Sequence, residues 1–302
     1  MPFDIRPYTP NDLPGVHNLY NELTTDRVPH CWPVAASVLG TSLAEKDIER
    51  DWARLLEQVV LVAAEGAKIS GFIHLGRQAA NKWQDEHGVI RFLAYRRGQR
   101  PVGDALLAAA ESWMREHKLP RSVVLPQPWG YSFYGFPHTY LSDHLDHVQA
   151  LLRYRGYSKS GGEVFLDWLD MQPEALPDTS GLEYELKLEE RLGAGPLPGL
   201  QVKALQGNEE IGNCLLDSGA ESSAAPQAAE FAFCNELNVQ EKFQGKGLGR
   251  FLLAHAMCQA RQRGYRHGAI STAHNNDRAF LFYANYGFRV ADWTYQFTKK
   301  FS

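Results

Sequence analysis

Apolar positions along the chain switch between two periods, and the switches mark out elements. Residues 3–6 read as a first strand; Asn11 and Asp12 then stand as a helix cap before Leu13, Val16, Leu19, Tyr20 and Leu23, which keep helical spacing. A second helix is expected over residues 44–56. Two apolar strands, 59–64 and 69–75, are joined by Glu65-Gly66-Ala67-Lys68, a hairpin-like connection. Strand 89–95 leads through Arg96-Arg97-Gly98-Gln99-Arg100-Pro101-Val102-Gly103 into an alanine-rich helix ending near Met114. Strands at 122–125 and 163–168, with a short helix over 148–154 between them, complete this half.

Residues 171–199 change character. Pro173, Pro177, Pro196 and Pro198 flank a charged stretch, 183–191, which reads as a linker carrying one short element. A hairpin of 201–205 and 211–217 follows around Gln206-Gly207-Asn208, and then comes an apolar strand, 231–239. That strand stops at a charged turn, and Gly245, Gly247 and Gly249 follow at every second position. A helix begins at once. His255, Gln259 and Gln262 fall at i, i+4 and i+7, which leaves Phe251, Leu252, Leu253, Ala254, Met257 and Cys258 to pack on a sheet, and Arg261, Arg263 and Gly264 end the run.

A glycine loop feeding a helix start leaves backbone N–H groups pointing at one spot, with the positive end of the helix dipole behind them. Such a spot suits an anion, and glycine lets a phosphate oxygen reach the amides. A P-loop is excluded, because Lys246 precedes Gly247 and no Ser or Thr follows it. A dinucleotide fingerprint is excluded as well, since the third glycine position falls on Leu252 or Arg250 and residues 265–273 contain no acid. What remains is Gln244-Gly245-Lys246-Gly247-Leu248-Gly249, which fits Q/R-x-x-G-x-G/A, together with Asn276 to Phe288, which fits N-x-x-A-x-x-F-Y-x-x-x-G-F. In this order and spacing the pair resembles the two motifs of the GNAT family of N-acetyltransferases.

Composition narrows the picture. The 302 residues exceed the usual size of one core, so two domains are expected: 1–170, a linker at 171–199, and 200–302. Hydrophobic (44%) and charged (22%) fractions are those of an ordinary globular protein. A net charge of -4 offers no general basic surface, so no nucleic-acid partner is expected. The first ten residues contain no apolar h-region and no run approaches membrane-spanning length, so a cytoplasmic protein without a membrane partner is expected. Cys31, Cys214, Cys234 and Cys258 are scattered, three of them on expected core elements and most simply buried apolar residues, and His144 and His147 lack a third ligand, so no metal is expected.

The resemblance implies a mixed α/β (α+β) fold of two tandem GNAT-like domains. Each would be a mostly antiparallel twisted sheet with a splayed parallel strand pair, flanked by helices. Aligned on its glycines, the first half places Gly98 where Gln244 stands, Pro101 where Gly247 stands, Leu152 where Tyr283 stands and Leu145 where Asn276 stands. Proline removes a donor and leucine cannot give a proton, so the first copy is read as degenerate, with Arg96, Arg97 and Arg100 in a solvated loop. The aromatic run Trp129 to His138 is read as a grip on an acceptor or as a cover over a core.

The activity implied is transfer of an acetyl group from acetyl-CoA to a primary amine of a small molecule or peptide, by direct attack in a ternary complex. Gly245, Gly247 and Gly249 would take the pyrophosphate, with Gln244 facing it and Lys246 or Arg250 adding charge. The backbone at Leu237 and Val239 would hold the pantetheine and polarise the thioester, and Asn276 would orient the cofactor or cap its helix. Tyr283 would protonate the departing thiolate, a transfer from a group of reference pKa ~10 to one of ~8.5. Glu236 would take the proton that an ammonium of pKa ~10.4 must lose; Asn235 beside it points to the opposite face if strand alternation holds. An oligomer is possible. The competing class is a non-catalytic acyl-CoA-binding sensor or interaction module.

Overall fold

The structure, a computed structural model, describes residues 3–50, 52–173, 176–179 and 181–301; residues 174, 175 and 180 of the expected linker lie outside it. In chain order the elements begin with β1 (Asp4–Pro7), α1 (Leu13–Thr24), α2 (Ala36–Ala44), β2 (Ile48–Arg50), β3 (Ala53–Glu65), β4 (Lys68–Gln78) and β5 (His87–Tyr95). Then come α3 (Arg100–Glu116), β6 (Arg121–Val124), β7 (Leu141–Ser142), α4 (Asp146–Tyr154) and β8 (Ser158–Trp168). The remainder is β9 (Glu185–Arg191), β10 (Gly199–Gln206), β11 (Glu209–Ser218), β12 (Phe231–Val239), α5 (Leu248–Gln262), β13 (His267–Ala273), α6 (Asp277–Ala284) and β14 (Arg289–Lys300).

Two compact units divide the chain: Met1–Glu163 with Asp292–Ser302, and Val164–Ala291. These bounds correct the expected split at 170 and 200. Phe297, fully buried in the first unit's core, faces Val124 of β6 in antiparallel register, and so residues 292–302 belong to the first unit.

In the first unit β1, β3, β4 and β5 pair antiparallel in that order, and β5 then runs parallel to β6. Every residue of β5 is buried, as a central strand covered on both faces requires. Val16, Leu19, Tyr20 and Leu23 of α1 are buried in its core, as their spacing foretold. The helix expected over 44–56 is absent. Residues 48–50 and 53–56 are strands that pair with each other, and burial alternates from Ala53 through Arg54 to Leu55 with period 2. The helix lies earlier, at α2, where Leu39 and Leu43 are buried four residues apart; Ala35 stands at its N-cap and Gly40 inside it, so no capping side chain signals its start.

The second unit repeats the plan in shorter form. Strands β9, β10, β11 and β12 pair antiparallel, and β12 pairs parallel with β13. The charged stretch of the linker becomes the edge strand β9. Helix α5 packs on β10, β11 and β12, and Leu252, Leu253, Ala256 and Met257 are buried beneath it. Each unit is thus a mostly antiparallel sheet with one parallel pair, flanked by helices.

Candidate active site

Strand β12 holds the geometry of the site. Its register with β11 runs Cys214↔Leu237 and Leu215↔Glu236, and then skips a residue to Leu216↔Cys234. Asn235 is the extra residue of a bulge, which bends the strand and re-aims its side chains. Simple alternation therefore fails here. The Asn235 amide donates to Asp217 Oδ2 at 2.7 Å, while exposed Glu236 accepts from the Asn213 amide at 3.2 Å.

On its other edge β12 pairs with β13 only from Phe231↔His267 to Cys234↔Ile270. Beyond that point β12 continues to Val239 and β13 to Ala273 without pairing to each other, so the parallel pair splays. Leu237 and Val239 lie on the splayed part, half-buried, and Val239 Cγ2 faces α5 close to Gly249. Cys214 and Cys234 sit just below with their sulfurs 3.6 Å apart, both buried.

The loop that follows turns through a single 3-10 turn, Glu241–Phe243. Gln244 donates its side-chain amide to the Val239 carbonyl at 2.9 Å, which ties the loop back to the strand end. Gly245 and Gly247 take φ of +75° and +84°, a region glycine enters without steric cost. A Cβ at Gly245 would meet nothing within 4 Å, whereas one at Gly247 would come within 2.9 Å of the Asp178 carbonyl. Gly247 caps α5, and Gly249 lies in its first turn. Lys246 and Arg250 flank the loop with no ion pair among the described residues; their charged ends lie 5.8 Å and 4.7 Å from the ring centres of Phe243 and Tyr286. Two uncompensated cations thus reinforce the positive end of the helix dipole.

Helix α6 brings the second motif alongside. Asn276 Oδ1 caps it by accepting from the Ala279 amide at 3.2 Å. Tyr283 is buried to 8% exposure between Phe282 and Phe288. Gly287 has φ +93° and admits the Trp168 ring, which a Cβ there would meet at 2.9 Å. Together α5, the α6–β14 turn and Trp168 wall a cavity of about 220 Å³ lined by Arg250, Leu253, Ala254, Asn285, Tyr286, Pro173 and Pro177 among others. Neither Tyr283 nor Glu236 lines it.

Sequence reasoning missed Asn213, Trp168 and Tyr286. Tyr286 stands three residues after Tyr283 and one turn away, a signal present in the sequence; Asn213 and Trp168 carry none, since only pairing and packing bring them in. The aromatic run Trp129 to Phe136 does not form a grip. Trp129, Tyr131, Phe133, Tyr134 and Phe136 are all buried, with Trp129 donating to Gln78 Oε1 at 2.6 Å and Tyr131 bonded to His74 Nδ1 at 2.9 Å.

Residues 202–290 match the family model described as Acetyltransferase (GNAT) domain. The chain carries a GNAT domain. No curated protein matches the sequence. Among solved structures, a fungal multi-domain β-N-acetylglucosaminidase with a GCN5-related glucosamine N-acetyltransferase region aligns at TM-score 0.67 and 16% identity, over 98% of this chain and 38% of that one. A tandem GNAT protein from the clavulanic acid biosynthesis pathway aligns at 0.65 and 15%, over 99% and 98% of the two chains. A GCN5-related N-acetyltransferase from Sphaerobacter thermophilus aligns at 0.61 and 14%, over 99% and 96%. At these identities the likeness is one of fold: the chain is folded like these tandem GNAT proteins, and it spans little more than a third of the fungal protein. The GNAT match falls on the unit that holds the glycine loop and the splayed strands.

Proposed function

We propose that the chain is an N-acetyltransferase that moves an acetyl group from acetyl-CoA to a primary amine, with the second unit as its working copy. The observation that carries this reading is the junction of β12, loop and α5. Glycine amides, a helix N-terminus and two unpaired cations converge beside a strand edge left without a partner. The residues fit acetyl-CoA. Gly245, Gly247 and Gly249 would take the pyrophosphate with Lys246 and Arg250, Gln244 would hold the loop to the strand, and Asn276 would fix the α6 start. The Leu237 backbone and the Val239 N–H would pair with the pantetheine amides and hold the thioester carbonyl, the Val239 carbonyl being taken by Gln244.

In the transfer the amine nitrogen attacks the thioester carbon. The tetrahedral adduct collapses with cleavage of the C–S bond, the thiolate takes the Tyr283 proton, and the second proton lost by the nitrogen as it becomes an amide restores the phenol. The attacking ammonium first loses a proton to Glu236, directly or through water, and the Asn213 amide holds that carboxylate in place. The test is thiol release from acetyl-CoA across a panel of amines, with wild type and Tyr283→Phe side by side. Amine-dependent release that Tyr283→Phe loses while keeping cofactor affinity supports the enzyme. Tight acetyl-CoA binding with no release for any amine supports the sensor instead.

A further inference from the structure

In the first unit β7 and β14 pair antiparallel, with Ser142 opposite Thr294 and Leu141 opposite Tyr295. Two residues further along, that register brings Asp292 to the turn Asp143–Leu145. Asp143, His144 and Asp292 each offer a ligand atom there, all within 4.8 Å of one another. Asp292 is only 3% exposed. Its Oδ1 has no hydrogen-bond partner among the described residues. Asp143 and His144 are each 46% exposed, so the cluster has a buried floor and a mouth open to solvent. Without an ion, burial and the neighbouring Asp143 charge push the Asp292 carboxyl up to about 8, so it keeps its proton; a cation seated between Asp143 and Asp292 lets both ionise and gives the orphaned oxygen a partner. Lys159 does not supply it: its ammonium lies over the Tyr295 ring and makes no ion pair with either carboxylate among the described residues.

We propose that Asp143, His144 and Asp292 form a binding site for a divalent cation of the zinc class. Two carboxylate oxygens and one imidazole nitrogen suit zinc, with water completing the tetrahedron. Calcium, which takes six to eight oxygens, is poorly served by this set. Ser142 Oγ accepts from the His144 backbone N–H at 3.1 Å and so fixes the turn that presents two of the three ligands. A bound ion ties the last strand to that turn, and its role is to hold residues 292–302 in the first unit.

The test uses the full chain stripped with a chelator, titrated calorimetrically with zinc chloride and melted with and without it. Wild type should bind one zinc, and saturating metal should raise the melting temperature by roughly 4 °C or more, reversibly with EDTA. Asp292→Asn and His144→Ala should each weaken binding by about tenfold or more. Asp292→Asn keeps the shape of the protonated carboxyl while removing a ligating carboxylate, so a metal-free melt close to wild type separates lost ligation from lost folding. No binding tighter than about 1 mM, or binding unchanged in both variants and hence due to other histidines, would overturn the site.

Discussion

The two units build the same junction and finish it differently. In the second, the parallel strands part after Cys234↔Ile270, and loop cations stand beside the gap with no ion pair among the described residues. In the first, β5 and β6 are paired at Gly88↔Ser122 to Ile90↔Val124, and the space beyond is closed by side chains. A Cβ on Gly103 would meet the Tyr95 ring at 2.6 Å, and Tyr95 and His147 bond reciprocally: the phenol donates to the His147 carbonyl at 2.8 Å, and the imidazole bonds the Tyr95 carbonyl at 2.9 Å. Every loop arginine is neutralised, Arg96 by Glu22, Arg97 by Asp146 and Arg100 by Asp104. A shallow cleft of about 350 Å³ persists beside Tyr95 and Tyr154, but its one cation, Arg100, is already engaged. The difference is one of charge and donors: the first unit pairs its loop arginines and puts Pro101 inside the first turn of α3, where a donor is lost, while the second leaves Lys246 and Arg250 without an ion pair among the described residues.

The largest effect expected from breaking the contrast falls on Gly247. Gly247→Ala forces a side chain into the left-handed region and against the Asp178 carbonyl, which costs about 1–2 kcal/mol and abolishes measurable acetyl-CoA binding in a calorimetric titration. Gly98→Ala in the first unit, also at positive φ but with open space around it, should leave that binding unchanged. Next comes Tyr283→Phe, for which steady-state kinetics should show kcat down by about 100-fold or more with KM for acetyl-CoA nearly unchanged.

Unsealing the first unit sharpens the comparison from the other side. Tyr95→Ala removes a ring only 3% exposed and should lower stability by about 3 kcal/mol in denaturant unfolding, without creating a second acetyl-CoA site. The same seal gives a pH dependence. Burial holds His147 below the ordinary histidine range, so the unfolded chain takes up the proton first. Stability from this group is complete above pH ~6.5 and is lost as pH falls through the depressed value; thermal melts of wild type between pH 5 and 8 should show a slope that His147→Gln flattens. The smallest effects belong to the loop charges. Lys246→Gln and Arg250→Gln should each weaken acetyl-CoA binding by about 3–10-fold, less at high salt.

Much of this was legible in the sequence, for definite reasons. Helix α5 and the loop before it follow from spacing and glycine placement, and Asn276 is the cap that its position before Asp277 implies. The order of elements in the first half was readable too, since β3, β4 and β5 are long and apolar. What escaped is set by pairing rather than by period. The bulge at Asn235, the burial of the aromatic run from Trp129, the filling of the first splay by Tyr95, and the seating of residues 292–302 in the first unit all depend on partners distant in sequence. The false helix over 44–56 arose where the three-residue β2 pairs with the first residues of β3, a stretch too brief for alternation to stand out.

The central claim is that one junction is live and the other is closed. Calorimetric titration of acetyl-CoA into the intact chain tests it most directly. The account calls for one site per chain, lost in Gly247→Ala and kept in Tyr95→Ala. Two sites per chain, or a single site that survives Gly247→Ala, would contradict it.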